Sequence, residues 1–267
     1  MLEWLRVALL KGPRPQISQV LDINDMINID LGKTNEQARH LLLISNILTN
    51  KLNFSKHMSF DLVLLIINFL AFFLALTVHE FCHAASAYYL GDKTAAYAGR
   101  LTLNPLAHID LLGTIILPLV LILTNAGFVF GWAKPVPVNY YNLKNQHWGP
   151  AIVSLAGPLA NLVFGIFCII LLKIATSYFG LGENNLLINF LYLLAIVNFI
   201  LMIFNLIPIP PLDGSKVLFA LLPPRWINVQ YFLERWGIFI LIILLVFGSD
   251  FLYLIFSGLI RIVNRLL

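Results

Sequence analysis

Apolar and polar positions divide the chain into long hydrophobic runs that are joined by short polar or proline-rich connections. An α-helix of about 20 apolar residues is long enough to cross the hydrocarbon core of a bilayer. The pattern therefore predicts membrane helices in four runs, and Gly248 in the last run indicates a kink or a split there. The four runs are Phe60–Leu90, Ala151–Tyr178, Leu186–Ile207 and Trp236–Val263.

A fifth apolar run, Leu111–Phe130, is interrupted by glycines and by Pro118. His79 lies late in its run and Asp213 follows its run, so the two can meet at one depth only if those helices are parallel. A full crossing by the fifth run would make them antiparallel. We therefore expect a re-entrant or extended insertion near residues 111–139, because irregular backbone is tolerated at membrane depth when protein or a wet cavity surrounds it.

Proline alternates with apolar residues in Lys134–Val138, which is typical of an extended segment. An exposed edge of such a segment could pair with an unfolded substrate by strand addition. A rigid loop explains the same pattern equally well.

Composition agrees with a membrane protein: 60% of the 267 residues are hydrophobic, only 11% are charged, and the mean hydropathy is +0.86. We predict an all-α polytopic membrane protein with about four to six membrane-inserted helical segments. The net charge of +4 indicates basic loops beside an anionic leaflet and not a nucleic-acid partner, since no basic patch is interleaved with aromatic residues.

The charged residues are concentrated at the amino-terminal end. Residues 1–57 hold 12 of the 30 charged side chains, although they are about a fifth of the chain. This shift predicts a polar amino-terminal segment of unknown role, residues 1–57, followed by a membrane domain, residues 58–267.

The first run contains the sequence H-E-x-x-H, formed by His79, Glu80 and His83. Residues i and i+4 share one face of a helix, so both imidazoles can reach one metal ion. Glu80 lies about 100° around the helix, where it can act on a water at the metal. Two histidines held by hydrogen bonds are the plain alternative, but burying them at lipid depth without a purpose is costly.

A catalytic zinc site takes three protein ligands and keeps one position open. Asp213 is the candidate for the third ligand, at the start of the short amphipathic stretch Asp213–Leu222. An aspartate that precedes a helix is also a common amino-terminal cap, and the two roles are compatible.

Two asparagines are candidates for contacts with substrate, Asn104 and Asn161. Asn161 lies among small residues that let helices approach closely, and it could hydrogen-bond substrate backbone or a developing oxyanion. Asn104 could bind substrate backbone. His108 is expected to be structural, and Cys82 is expected to pack as a small helical residue.

Together these blocks resemble the site-2 protease family of intramembrane metalloproteases, in its short form without PDZ or CBS domains. The departures are small: Leu111 stands where proline is usual, and Cys82 where a small apolar residue is usual. The stretches that carry the resemblance follow the family order over roughly residues 60–225; they are His79–Ala84, Gly99–Pro105, His108–Asp110, Gly131–Asn139, Ala156–Asn161 and Asn205–Gly214.

The resemblance implies a Zn²⁺ ion bound by His79, His83 and Asp213, with Glu80 as general base. It also implies cleavage of membrane-protein substrates within or near their transmembrane segments. We expect an integral protein of a prokaryotic cell membrane whose partners are the lipid bilayer and its substrates. A catalytically inactive homologue that binds membrane helices is the alternative, and a membrane zinc carrier is a further one.

Overall fold

The computed structural model describes residues 66–124, 134–182 and 185–267, and residues 68–267 form one compact unit. Two expectations concern other residues: the start of the first run at Phe60 and the domain boundary near residue 57 lie outside the described ranges. The end of the fifth run, residues 125–130, also lies outside the described ranges.

Eight α-helices and several short turns of other helix types make up the described chain. Short 3₁₀ turns lie at Pro105–His108, Tyr140–Asn142 and Pro224–Trp226, and a π-helical turn, Leu111–Ile116, leads into α3. The α-helices are α1 Ile66–Tyr89, α2 Thr94–Tyr97, α3 Leu117–Leu123, α4 Gly149–Ser177, α5 Leu186–Asn205, α6 Gly214–Leu221, α7 Ile227–Phe247 and α8 Ser249–Leu266.

Four of the described helical stretches, built on α1, α4, α5 and α7, are long and apolar enough to cross a membrane. This confirms the prediction of an all-α polytopic protein. Helix α5 is central, because residues 193–201 are all buried, whereas only 11% of the most apolar stretch of α7 is buried. A helix that is apolar on all sides and buried on few of them presents its surface to lipid.

Helices α1 and α4 are antiparallel. Asn161 of α4 contacts His79 of α1, whereas Val153, two turns earlier in α4, contacts His83, one turn later in α1. The connection between these helices must therefore begin and end on the same side of the membrane. Because the connection starts and returns on one side, the single apolar run within it cannot cross alone, which supports the expected insertion.

The structure changes one predicted boundary. Helix α7 begins at Ile227 and not at Trp236, because polar residues in its first turns are satisfied at the protein surface. Gln230 and Lys216 both approach the carboxylate of Glu234, at 3.2 and 3.7 Å. The expected split of the last run is confirmed at Gly248, where α7 ends and α8 follows.

One carboxylate holds the non-helical chain before α4 against the end of α1. Asp92 is fully buried and accepts hydrogen bonds from the backbone N–H of Asn139 at 2.7 Å, from Asn142 Nδ2 at 2.9 Å and from the hydroxyl of Thr94 at 2.5 Å. Burial raises the pKa of the Asp92 carboxyl, but these hydrogen bonds outweigh it and lower the pKa below its usual value. Asp92 is not among the residues that the sequence predicts to be important.

Replacing Asp92 with asparagine should lower the melting temperature in detergent at neutral pH, because an amide NH₂ would face donors that now meet carboxylate oxygens. The loss should be about 1–3 kcal/mol. Lys93→Ala, at the exposed neighbouring position, is the control.

The difference between wild type and Asp92→Asn should depend on pH. A carboxyl whose pKa is lowered by folding contributes stability above its unfolded pKa of about 3.9, and this is lost as pH falls through the lower folded value. The two melting temperatures should therefore converge in acid. An unchanged melting temperature of Asp92→Asn at neutral pH would show that the hydrogen bonds of Asp92 do not stabilise the fold.

Candidate metal centre

Helix α1 places two imidazoles one turn apart on its buried face. His79 and His83 are 3% and 8% exposed, and their Nε2 atoms lie 3.0 Å apart. His83 Nδ1 lies 2.7 Å from the backbone oxygen of Val153. A carbonyl oxygen only accepts, so Nδ1 of His83 carries the hydrogen and its Nε2 keeps a lone pair.

Asp213 brings a carboxylate to the same point. Its Oδ2 lies 3.2 Å from His79 Nε2 and 3.3 Å from His83 Nε2. Asp213 precedes α6, but its side chain makes no capping hydrogen bond, so the carboxylate is directed at the imidazoles. Gly214 permits this turn, since a Cβ there would lie 2.2 Å from the backbone oxygen of Leu206.

The three ligand atoms fit a zinc ion. Two ligands of a tetrahedral site with metal bonds of about 2.0–2.1 Å are about 3.3 Å apart. The observed separations of 3.0, 3.2 and 3.3 Å match this edge length. Asp213 Oδ2 is also buried without a hydrogen-bond partner among the described residues, which is costly for a carboxylate unless a cation satisfies it. His79, His83 and Asp213 can therefore hold a metal ion.

Helix α4 leaves room for the imidazoles at Gly157. A Cβ at this position would lie 2.5 Å from His83 Nε2 and 2.7 Å from His79 Cε1, closer than real Cβ contacts. The sequence places Gly157 among the small residues near Asn161 that let helices approach closely. The structure shows that the close approach is to the site itself.

Glu80 follows His79 on α1 and lies outside the group of three side chains that can hold a metal ion. Its side chain is half-buried, and its Oε2 accepts a hydrogen bond of 3.1 Å from the backbone N–H of Val136. The non-helical segment around Val136 is held at one end where Lys134 N–H donates to His108 O, at 3.0 Å. At its other end, Asp92 holds Asn139. The carboxylate of Glu80 is thus oriented by backbone that the rest of the fold fixes.

The two tentative substrate-binding asparagines lie in different surroundings. Asn161 is fully buried, and its Oδ1 lies 2.5 Å from His79 Nδ1. Asn104 is exposed, and its side chain caps a 3₁₀ turn by accepting from the N–H of Leu106 at 3.1 Å. A contact of either residue with substrate stays a prediction.

His108 and Cys82 lie outside the ligand group. His108 is buried, and its Nε2 lies 3.0 Å from the backbone oxygen of Thr102, in the loop before α3. Cys82 is a free, partly buried thiol on α1.

Asn198 was not predicted from the sequence as part of the site. It is fully buried and accepts a hydrogen bond from Asn161 Nδ2 at 2.8 Å. A signal was present in the sequence. Asn198 is a polar residue in the middle of the apolar helix Leu186–Asn205, whose other asparagines, Asn189 and Asn205, lie nearer its ends. Polar residues within membrane helices are commonly functional. The contact between Val136 and Glu80 had no such signal, because it involves only a backbone N–H.

Replacing Gly157 with alanine should disturb zinc binding while leaving the helices folded. The added methyl group would push against both imidazoles, and we expect zinc affinity to fall by about 10–100-fold, as for other groups that orient ligands. Gly258→Ala is a matched control, since nothing lies within 4 Å of a Cβ at that position. Zinc affinity is measured by chelator competition, and equal affinity of Gly157→Ala and wild type would contradict the geometry.

The chain matches known proteins over most of this structure. The peptidase family M50 profile covers residues 67–244. The chain is 38% identical over 173 residues to "Putative zinc metalloprotease YwhC" of Bacillus subtilis. The aligned residues are 64% of this chain and 75% of that protein. It is 33% identical over 174 residues to "Putative zinc metalloprotease Rip2" of Mycolicibacterium smegmatis. Here the aligned residues are 65% of this chain and 64% of that protein.

A shorter similarity extends to "Zinc metalloprotease MJ0392" of Methanocaldococcus jannaschii, at 35% identity over 78 residues, which are 29% of this chain and 21% of that protein. No solved structure matches the chain significantly. The apolar helices, the three converging ligand atoms and the family match lead to one conclusion. The chain belongs to peptidase family M50 and is a zinc metalloprotease embedded in the membrane.

Proposed function

We propose that His79, His83 and Asp213 hold the catalytic zinc ion and that Glu80 is the general base of peptide-bond hydrolysis. The observation that carries this proposal is the triangle of ligand atoms, 3.0–3.3 Å on each side, with a carboxylate on the next residue of α1 that is not part of it. Zinc in such a site supplies a Lewis acid that lowers the pKa of water towards about 7.

The contacts of Glu80 suggest how it moves the proton. Oε2 is held by the N–H of Val136, which leaves Oε1 to take a proton from the attacking water. The same oxygen then delivers the proton to the leaving amine. Because Val136 belongs to a segment fixed by Asp92 and His108, the carboxylate is positioned before substrate arrives.

The substrate class follows from the position of the site. His79 and His83 lie on α1, which is long and apolar enough to span a bilayer, and Asp213 follows the spanning helix α5. This position, together with the family match, supports membrane proteins as the substrates. A scissile helix must unwind before its carbonyl can be attacked, since helical carbonyls are already bonded. We propose that the non-helical residues around Val136 and Asn104 hold the unwound segment.

The location and the domain division belong to the same proposal. Relatives from Bacillus subtilis and Mycolicibacterium smegmatis support a prokaryotic cell membrane as the location. The polar residues 1–57 supply none of the proposed catalytic groups, and the membrane domain from residue 58 carries all of them.

An inactive helix-binding homologue is the main alternative. The presence of Glu80 beside a complete ligand set argues against it. A zinc carrier would stagger its ligands along a path, whereas these three atoms converge on one point.

Glu80→Gln should separate catalysis from metal binding. The glutamine carbonyl oxygen can still accept from Val136 N–H, and all three ligands remain, so about one zinc per chain should be retained. The variant cannot take the proton, so cleavage should fall by about 10²–10⁴-fold. Quantitative proteomics of membrane fractions should show that uncut substrates accumulate in cells that carry the variant.

Glu234→Gln makes the same chemical change at the exposed surface of α7 and should cleave like wild type. Equal cleavage by Glu80→Gln and wild type would refute the general-base role. Loss of zinc from Glu80→Gln would instead make Glu80 a ligand.

A further inference from the structure

Two buried asparagines connect helix α5 to the ring of His79. Asn198 Oδ1 accepts from Asn161 Nδ2 at 2.8 Å, and Asn161 Oδ1 lies 2.5 Å from His79 Nδ1. Both asparagines are 0% exposed. Fully buried amides among apolar helices are costly unless every contact is satisfied, so their orientation is closely determined.

The direction of each amide follows from backbone oxygens, which can only accept. Asn198 Nδ2 donates to Leu194 O at 2.8 Å, so its Oδ1 must be the atom that faces Asn161. Asn161 Nδ2 donates both to that oxygen and to Ala75 O, at 3.0 Å. The Oδ1 of Asn161 must therefore face the imidazole, and His79 Nδ1 must be the nitrogen that carries the hydrogen.

This tautomer is the one that a metal site requires. With the hydrogen on Nδ1, the Nε2 of His79 keeps its lone pair, which faces His83 Nε2 at 3.0 Å and Asp213 Oδ2 at 3.2 Å. With the opposite tautomer, a hydrogen on Nε2 would occupy the point where the three ligand atoms converge.

We propose that Asn161, itself oriented by Asn198, is a positioning residue that fixes the ring and the tautomer of His79 for zinc binding. The inference rests on the zinc site proposed above. His83 needs no such side chain, because the backbone oxygen of Val153 performs the same role at 2.7 Å. Histidine ligands of metals commonly donate their second N–H in this way.

The same contacts weigh against the oxyanion role considered from sequence. Both hydrogens of the Asn161 amide are already donated, to Ala75 O and to Asn198 Oδ1. The side chain is also fully buried. No donor remains to meet a substrate oxygen unless this network breaks.

Asn161→Leu tests the proposal in the purified full-length protein. It removes the acceptor for His79 Nδ1 at similar side-chain size, and zinc affinity measured by competition with a chromogenic chelator should fall by about 10–100-fold. Cys168→Ala is the matched control, a buried change on the same helix, and should bind zinc like wild type.

Asn161→Leu also leaves Asn198 Oδ1 without its partner, which could lower stability on its own. The double variant Asn161→Leu/Asn198→Leu removes both members of that pair, and replacing both partners by apolar groups is much less damaging. Its metal-free melting temperature should exceed that of the single variant, while its zinc affinity should remain equally weak. Recovery of zinc affinity together with stability would overturn the positioning role.

Two further results would also overturn it. Wild-type zinc affinity with reduced kcat in Asn161→Leu would assign the residue to the oxyanion. A reduced metal-free melting temperature with wild-type zinc affinity would make the asparagine pair purely structural. Zinc affinity needs no substrate, so a wild type that binds zinc and cleaves nothing would refute the protease proposal and leave this inference standing.

Discussion

The convergence of three electron-pair donors inside a helical bundle is the constraint on which the rest of the structure depends. His79, His83 and Asp213 place their ligand atoms within 3.0–3.3 Å of one another in a buried position. Without a cation, two lone pairs and a carboxylate oxygen at such distances are costly in a low-dielectric interior. When a metal cation is bound, the same three atoms are attracted to it and stabilise the complex. Metal binding and the packing of these helices are therefore coupled.

Helix α4 carries most of the support for this site, although it supplies none of the three ligands. Gly157 gives the imidazoles room, the backbone oxygen of Val153 orients His83, and Asn161 contacts His79. These residues lie at intervals of four along one face of α4, which is the face that an antiparallel helix can cover. Asp92 contributes by holding the segment whose backbone N–H orients Glu80.

Much of this could be predicted from the sequence. Long apolar runs predicted the spanning helices, and the four-residue spacing of His79 and His83 predicted a shared helix face. The hydrogen bonds that join His79 to Asn161 and Asn161 to Asn198 could not be predicted, because they depend on which faces of α1, α4 and α5 meet. The contact of Val136 with Glu80 involves backbone alone, and the start of α7 was missed because polar first turns interrupt an apolar pattern.

Zinc K-edge X-ray absorption of the purified full-length protein tests the ligand set most directly. Ligation by His79, His83 and Asp213 with one open position gives two imidazoles per zinc and only nitrogen and oxygen neighbours, at about 2.0–2.2 Å. A neighbour at about 2.3 Å would indicate sulfur and point to a thiol such as that of Cys82. Either that result or a third imidazole around the zinc would contradict the site described by this structure.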